Sequence, residues 1–337
     1  MIKFVILDVY PNKRHRLIKD TAGGYGTGND FGNTLFSKLL NIYVDTNIGM
    51  PSIEIMIISS ILKKSHTVHY TRDLNDKEIE SSDFIILPSS IIAHETELNA
   101  LNQLKHKKIF VTGIFATTKR DKYLTENSIV VKNESDTFFY NLEKSNNLNI
   151  NNLNDLFNKK ELINNFYSPV ELDDFPYPDW GSYTKKFPLR NDFFSLNQKI
   201  AVPLLGTRGC PYSCGYYCTY GENQGKLIRS HSVKGLIEIM KELKKIHGFK
   251  SFQFRDPVFG LKKDFLENFC LEMIKSELDV EWGMETRIDL LNKSLLRLMS
   301  KSGLKSINIG IETPDEKIAA ANKRKVCSMD KQKDLIN

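Results

Sequence analysis

The run Gly209-Cys210-Pro211-Tyr212-Ser213-Cys214-Gly215-Tyr216-Tyr217-Cys218 follows directly on the apolar segment Ile200-Ala201-Val202-Pro203-Leu204-Leu205-Gly206. Three thiolates so closely spaced can hold three corners of a cubane iron–sulfur cluster. The fourth iron is then free to bind and activate a small molecule. Zinc is the competing reading, but structural zinc wants four protein ligands, usually from two separated close pairs, and no partner pair lies nearby. Cys270 falls within an amphipathic helical pattern and reads as a core thiol, whereas Cys327 lies in a lysine-rich segment near the C-terminus.

Outward from the triplet, apolar strand patterns occupy 200–206, 251–255, 280–284 and 306–311. Helical spacing of apolar residues covers 233–247, 263–276 and 294–301, and a fourth helix is expected near 329–336. This βαβα order calls for parallel strands with helices outside, in a barrel or part of one, whose catalytic groups gather at the strands' C-terminal ends. The triplet sits at the end of the first strand. Asp256, Arg287 and Glu312 end the other three, so one rim collects polar groups from all four. Ordinary salt bridges are the competing account for each of these charges.

Before this region, strand patterns at 2–9, 67–70, 84–87, 109–112 and 129–131 alternate with helical spacing at 53–64, 95–105 and 136–144. The strands lack alternation, which predicts burial on both faces in a parallel sheet. A doubly wound, Rossmann-like domain follows, with its ligand beyond the strands' carboxyl ends. The long glycine-bearing stretch after the first strand, Ala22-Gly23-Gly24-Tyr25-Gly26-Thr27-Gly28-Asn29-Asp30-Phe31-Gly32, misses the G-x-G-x-x-G spacing of a dinucleotide site. Its glycines either let backbone approach a flat ligand or make a flexible turn.

Residues 145–165 turn asparagine-rich, and Asp173-Asp174-Phe175-Pro176-Tyr177-Pro178-Asp179-Trp180 is too proline-rich for regular structure. Residues 145–198 therefore read as a linker and interdomain strap with Trp180 at the seam, between a domain at 1–144 and a second at 199–337. The chain's 337 residues suffice for two such domains, and 47 basic against 41 acidic side chains, spread evenly, give +6 without pointing to nucleic acid. Five cysteines, three of them in the triplet, leave little room for disulfides, which favours a reducing cytosol. No stretch approaches the ~20 apolar residues of a membrane span.

Residues 200–325 resemble the radical S-adenosylmethionine (SAM) enzymes. Gly209-Cys210-Pro211-Tyr212-Ser213-Cys214 together with Gly310-Ile311-Glu312-Thr313 is similar to the form that carries an N-terminal cobalamin-binding domain. The resemblance implies a [4Fe–4S] cluster on Cys210, Cys214 and Cys218, with Tyr217 against the adenine of SAM. It further implies contacts to SAM from Asp256, Arg287 and Glu312, Arg287 being suited to the methionine carboxylate by its bidentate fork. Gly23, Gly24 and Gly113 are the expected backbone approaches to cobalamin. Such enzymes use one electron from the cluster to split SAM to a deoxyadenosyl radical, and so imply a one-electron donor such as flavodoxin or ferredoxin. A small-molecule or biosynthetic-intermediate substrate would undergo methyl transfer or radical rearrangement at an unactivated carbon.

Three departures bear on these expectations. The triplet is spaced C-x3-C-x3-C where the family has C-x3-C-x2-C. The D-x-H-x-x-G sequence that gives a histidine to cobalt is missing; His15, His66, His69 and His94 all stand in other settings. Only four strand–helix units precede Asn337 where six are common, so the barrel is expected to be truncated. The alternative expectation is a catalytically incompetent iron–sulfur or cobalamin-binding module.

Overall fold

In a computed structural model, the chain is described except at residues 12–15, 20–25, 30–31, 40–50, 186–200, 216–217, 314, 325–326 and 337. The expectations placed on His15, Gly23, Gly24 and Tyr217 lie outside the described residues. The chain forms two compact units, Met1–Val170 with Asp174–Pro188, and Glu171–Asp173 with Leu189–Asn337.

The first unit begins with β1 (Lys3–Leu7), the short strands β2 (Arg16–Ile18) and β3 (Thr27–Asn29), then β4 (Thr67–Thr71), β5 (Phe84–Pro88), β6 (Lys108–Thr112) and β7 (Ser128–Val130). Five of these form one parallel sheet in the order β4-β1-β5-β6-β7. Phe84-Ile85-Ile86-Leu87-Pro88 is buried at every position, as continuous apolar runs in two-faced sheets require. This order is the flavodoxin-like one, and its topological switch point lies between β1 and β5. The stretch read as one long loop contains an antiparallel β2–β3 pair. Strands of three residues, one of them with glycine at its centre, carry too little apolar pattern to announce themselves.

This unit takes in more of the chain than composition suggests. The asparagine-rich segment forms a helix at Ile150–Asn158 whose Leu153, Leu156 and Phe157 are buried. Phe157 packs on the sheet's aromatic face, 5.0 Å between ring centroids from Phe110 and 5.9 Å from Phe84. Further on, Asp179 caps the short helix Trp180–Thr184 and accepts a hydrogen bond from Ser59 Oγ at 2.7 Å. Trp180 is fully buried, and Tyr183 meets Tyr70 edge to face. Three apolar anchors at helical spacing outweigh the polar residues between them, so residues 145–185 outside 171–173 are part of this unit.

The second unit contains β8 (Val202–Leu204), β9 (Thr207–Arg208), β10 (Arg229–Ser230), β11 (Ser251–Phe254), β12 (Glu281–Thr286) and β13 (Leu304–Ile309). Four strands form a parallel sheet ordered β13-β12-β11-β8, connected through helices Val233–His247, Lys263–Lys275 and Lys293–Lys301. Ser232 caps the first helix and left-handed Gly248 ends it. Phe254, Phe259, Phe269 and Trp282 fill the core; Phe254 and Phe259 stack at 4.2 Å. The helix near 329–336 is present as Met329–Ile336, and an additional one spans Glu316–Ala321.

Candidate functional site

The triplet follows β8 through β9, and local backbone constraints fix its start. Gly209 has φ +89°, and a Cβ there would lie 2.1 Å from Leu227 O, so only glycine fits. Its N–H donates to Gln224 Oε1 at 3.1 Å, and that of Cys210 donates to Gly225 O at 3.0 Å. Cys210 and Cys214 are buried and Cys218 is half-buried. Burial pushes the Cys210 thiol up, and the charges of Cys218 and Cys214 push it further. Burial likewise raises Cys218, again with a contribution from Cys214. The three thiols therefore lie within one another's field, as ligands of a shared centre must.

Among the described residues, no three Cys, His, Asp or Glu side chains converge as ligands of a single metal ion do. Two cations temper the repulsion among thiolates: Arg287 lowers Cys210 and Arg324 lowers Cys218. Cys270 is fully buried on helix Lys263–Lys275, in line with its reading as a core thiol.

The rim residues divide into different roles. Arg287 is buried; its Nε and Nη2 donate to Asp289 Oδ1 at 2.9 Å and Oδ2 at 3.1 Å. The fork expected to grip a methionine carboxylate is thus engaged by Asp289, and its face lies over the Tyr212 ring, 4.4 Å from the centroid. Asp256 does not line the rim at all. It is fully buried, accepting from Gly206 N at 3.0 Å, from Thr207 Oγ1 at 2.6 Å and from Thr207 N. Its expected contact with SAM is therefore replaced by an anchoring role in front of Cys210.

Glu312 stands beyond the end of β13. It holds an unusual φ of +62° and is paired with Arg324 Nη1 at 3.6 Å. Arg324 also donates to Gly310 O, and a Cβ at Gly310 would crowd Glu312 Oε1 at 2.8 Å. Cys218 feels both Arg324 and Glu312. A shallow pocket beside Arg324 is lined by Arg287, Asp289, Gly310, Ile311 and Gln332 among others. Arg324, Asp289 and Tyr212 were missed as site residues by sequence reasoning. Their only signal is position within two residues of a named cysteine or rim residue, or, for Arg324, none.

At the first unit's switch point stands a buried charge network. Lys19 Nζ lies 3.1 Å from Asp8 Oδ1 and 3.0 Å from Glu97 Oε1, and donates to Pro88 O at 2.9 Å. Burial raises Glu97 despite Lys19, and Tyr123 Oη and Ser90 N donate to the same carboxylate at 2.7 and 3.0 Å. Gly113 follows β6 with φ +95°, and a Cβ there would lie 2.8 Å from Ser89 O. Among the described residues, the buried Thr112 Oγ1 beside it has no hydrogen-bond partner. The described histidines His66, His69, His94 and His106 are engaged by Leu148 O, Asp76, Ile91 O and Glu80.

Comparison with known proteins agrees with this architecture. The model of the radical SAM superfamily matches residues 204–337. An uncharacterised methyltransferase of Pyrococcus horikoshii is 30% identical over 115 residues, which are 34% of this chain and 25% of that protein. The anaerobic magnesium-protoporphyrin IX monomethyl ester cyclase of Rubrivivax gelatinosus is 32% identical over 172 residues, 49% of this chain and 29% of that protein. The matches thus span less than a third of these relatives' lengths. The solved structure of OxsB, a cobalamin-dependent S-adenosylmethionine radical enzyme, shares the fold at TM-score 0.64 and 12% identity, covering 98% of this chain and 46% of that one.

Proposed function

We propose that the chain, whose residues 204–337 match the radical SAM superfamily model, is a cobalamin-associated, cluster-bearing radical SAM enzyme that transfers a methyl group to an unactivated carbon. The observation that carries this reading is the grouping of Cys210, Cys214 and Cys218 after β8, with Arg287 and Arg324 beside them. When bound, the cluster supplies the electron that cleaves SAM to a deoxyadenosyl radical. The chain's residues do the rest of the site's work. The three thiolates hold three irons, while the two guanidiniums offset their charge and Glu312 stands ready to accept from an amino or hydroxyl group of SAM.

Cobalamin is assigned to the first unit on the flavodoxin-like order, the orphaned Thr112 hydroxyl and the relationship to OxsB. Thr112 and the backbone at Gly113 would meet it. Methyl transfer is preferred because one curated relative carries that activity in its name, whereas the cyclase relative keeps ring formation open to the same test.

The test is anaerobic reconstitution of the chain with iron, sulfide and cobalamin. One oxygen-sensitive [4Fe–4S] cluster is expected, with a paramagnetic resonance spectrum that changes on adding SAM, and base-off cobalamin whose spectrum no histidine substitution alters. Cys214→Ala should abolish the cluster, and Cys270→Ala should retain it. Stoichiometric zinc without iron would overturn the cluster assignment.

A further inference from the structure

We infer that Asp256 is the positioning residue of the cluster loop: its carboxylate clamps the Gly206–Thr207 peptide and thereby sets where Cys210 stands. This rests on the proposed cluster. Three donors converge on the carboxylate, namely the N–H groups of Gly206 and Thr207 and the Thr207 hydroxyl. No cation pairs with Asp256 among the described residues, so these donors and its own backbone N–H compensate its burial. A buried acid with that partner set is satisfied only if the turn keeps its shape.

Both sides of the clamp are rigid. Asp256 follows β11, where Arg255 N donates to Leu204 O at 2.8 Å, and the loop behind it is held by Phe259 N donating to Glu285 O at 2.9 Å. On the other side, Gly206 O accepts from His231 N at 3.0 Å, and a Cβ at Gly206 would lie 2.5 Å from the Phe259 ring. The Gly206–Thr207 turn therefore cannot slide without breaking the Asp256 bonds. Arg208 then pairs with Arg229 across β9 and β10, and the constrained Gly209 passes directly to Cys210. A displacement at Thr207 reaches a cluster ligand three residues later through backbone with little slack.

Asparagine is the sharp test above about pH 7, where Asp256 is ionised, because it keeps the shape and replaces one acceptor oxygen by an amide N–H₂ facing donors that need an oxygen. Amide hydrogen exchange on the metal-free chain should rise at 206–210 in Asp256→Asn by about tenfold or more, the loss of one buried hydrogen bond. It should not rise there in Leu295→Ala, a core truncation on helix Lys293–Lys301. After reconstitution, Asp256→Asn should hold less iron per chain and lose the SAM-induced spectral change, whereas Leu295→Ala at matched thermal stability keeps both. If Asp256→Asn does not fold, Thr207→Val removes one donor at constant shape and should show the same pattern more weakly. Equal exchange at 206–210 and equal spectra in the two stability-matched variants would overturn the inference. Wild-type protein that takes up no iron would sink the cluster itself, and the exchange comparison would still decide the role of Asp256.

Discussion

The Arg287 guanidinium lies 4.4 Å from the Tyr212 ring centroid while its Nε and Nη2 are committed to Asp289. Tyr212 sits between Cys210 and Cys214, so this contact fastens the cysteine loop to the end of β12. Cation–π contacts of this kind are worth about 0.5–2 kcal/mol, the higher figure when desolvated. Tyr212→Leu should therefore lower iron content after reconstitution and leave the fold intact by circular dichroism. Tyr212→Phe, which keeps the ring, should behave as wild type; equal iron loss in both variants would show that the hydroxyl is what matters.

How far the sequence discloses this arrangement depends on the range of the forces involved. The helix Val233–His247 agrees with its apolar spacing residue for residue, because amphipathic period and caps are both local. The triplet was legible for the same reason. Asp256, Arg287 and Glu312 all stand at strand ends as their spacing implies, yet only the fold shows that Asp256 turns inward to Gly206 and Thr207. A carboxylate after an apolar strand reads the same whether it faces a ligand or a backbone turn. Arg324 reaches Glu312 from beyond a helix, and no periodicity encodes such a contact.

Glu312 offers a separation of function from stability. Its side chain is 45% exposed and its partner Arg324 stands 3.6 Å away, a geometry whose pairing energy is small. Glu312→Ala should thus change unfolding free energy by less than about 1 kcal/mol. Deoxyadenosine release from SAM should nevertheless fall by about tenfold or more, as expected when a charge-assisted hydrogen bond is lost. Release at the wild-type rate, measured by chromatography with the cluster intact, would remove Glu312 from the site.

Asp256 also carries a pH signature. Burial pushes its carboxyl from 3.8 up to about 7, against the pull of its hydrogen bonds from Thr207 and Gly206. The folded chain thus holds this proton up to about pH 7, whereas the unfolded chain releases it near 3.8. Stability attributable to this group is fully present below the lower value, declines as pH rises between the two, and falls no further above the higher one. The unfolding free energy of wild type minus that of Asp256→Asn should therefore decrease from about pH 4 to about pH 7 and then level off. A difference that stays flat across that interval would mean the carboxylate is ionised throughout.

The buried triad of the first unit makes the largest single stability prediction. Lys19 is 4% exposed, Asp8 1% and Glu97 0%, so water can replace none of their contacts. Lys19→Met keeps the side chain's length and apolar stem but leaves two carboxylates facing each other across the switch point. Breaking a buried pair in this way costs about 3–5 kcal/mol, because the uncompensated charge remains desolvated. Glu97→Gln in the same background should restore part of that loss. An amide oxygen in the place of Oε2 can still accept from Tyr123 Oη and Ser90 N, which stand at 2.7 and 3.2 Å, and one negative charge is gone. Equilibrium urea unfolding of wild type, the single variant and the double variant measures both steps. A loss under about 1 kcal/mol for Lys19→Met would mean that Asp8 and Glu97 find other compensation, through protonation or entry of water, and that Lys19 does not hold the crevice between β1 and β5.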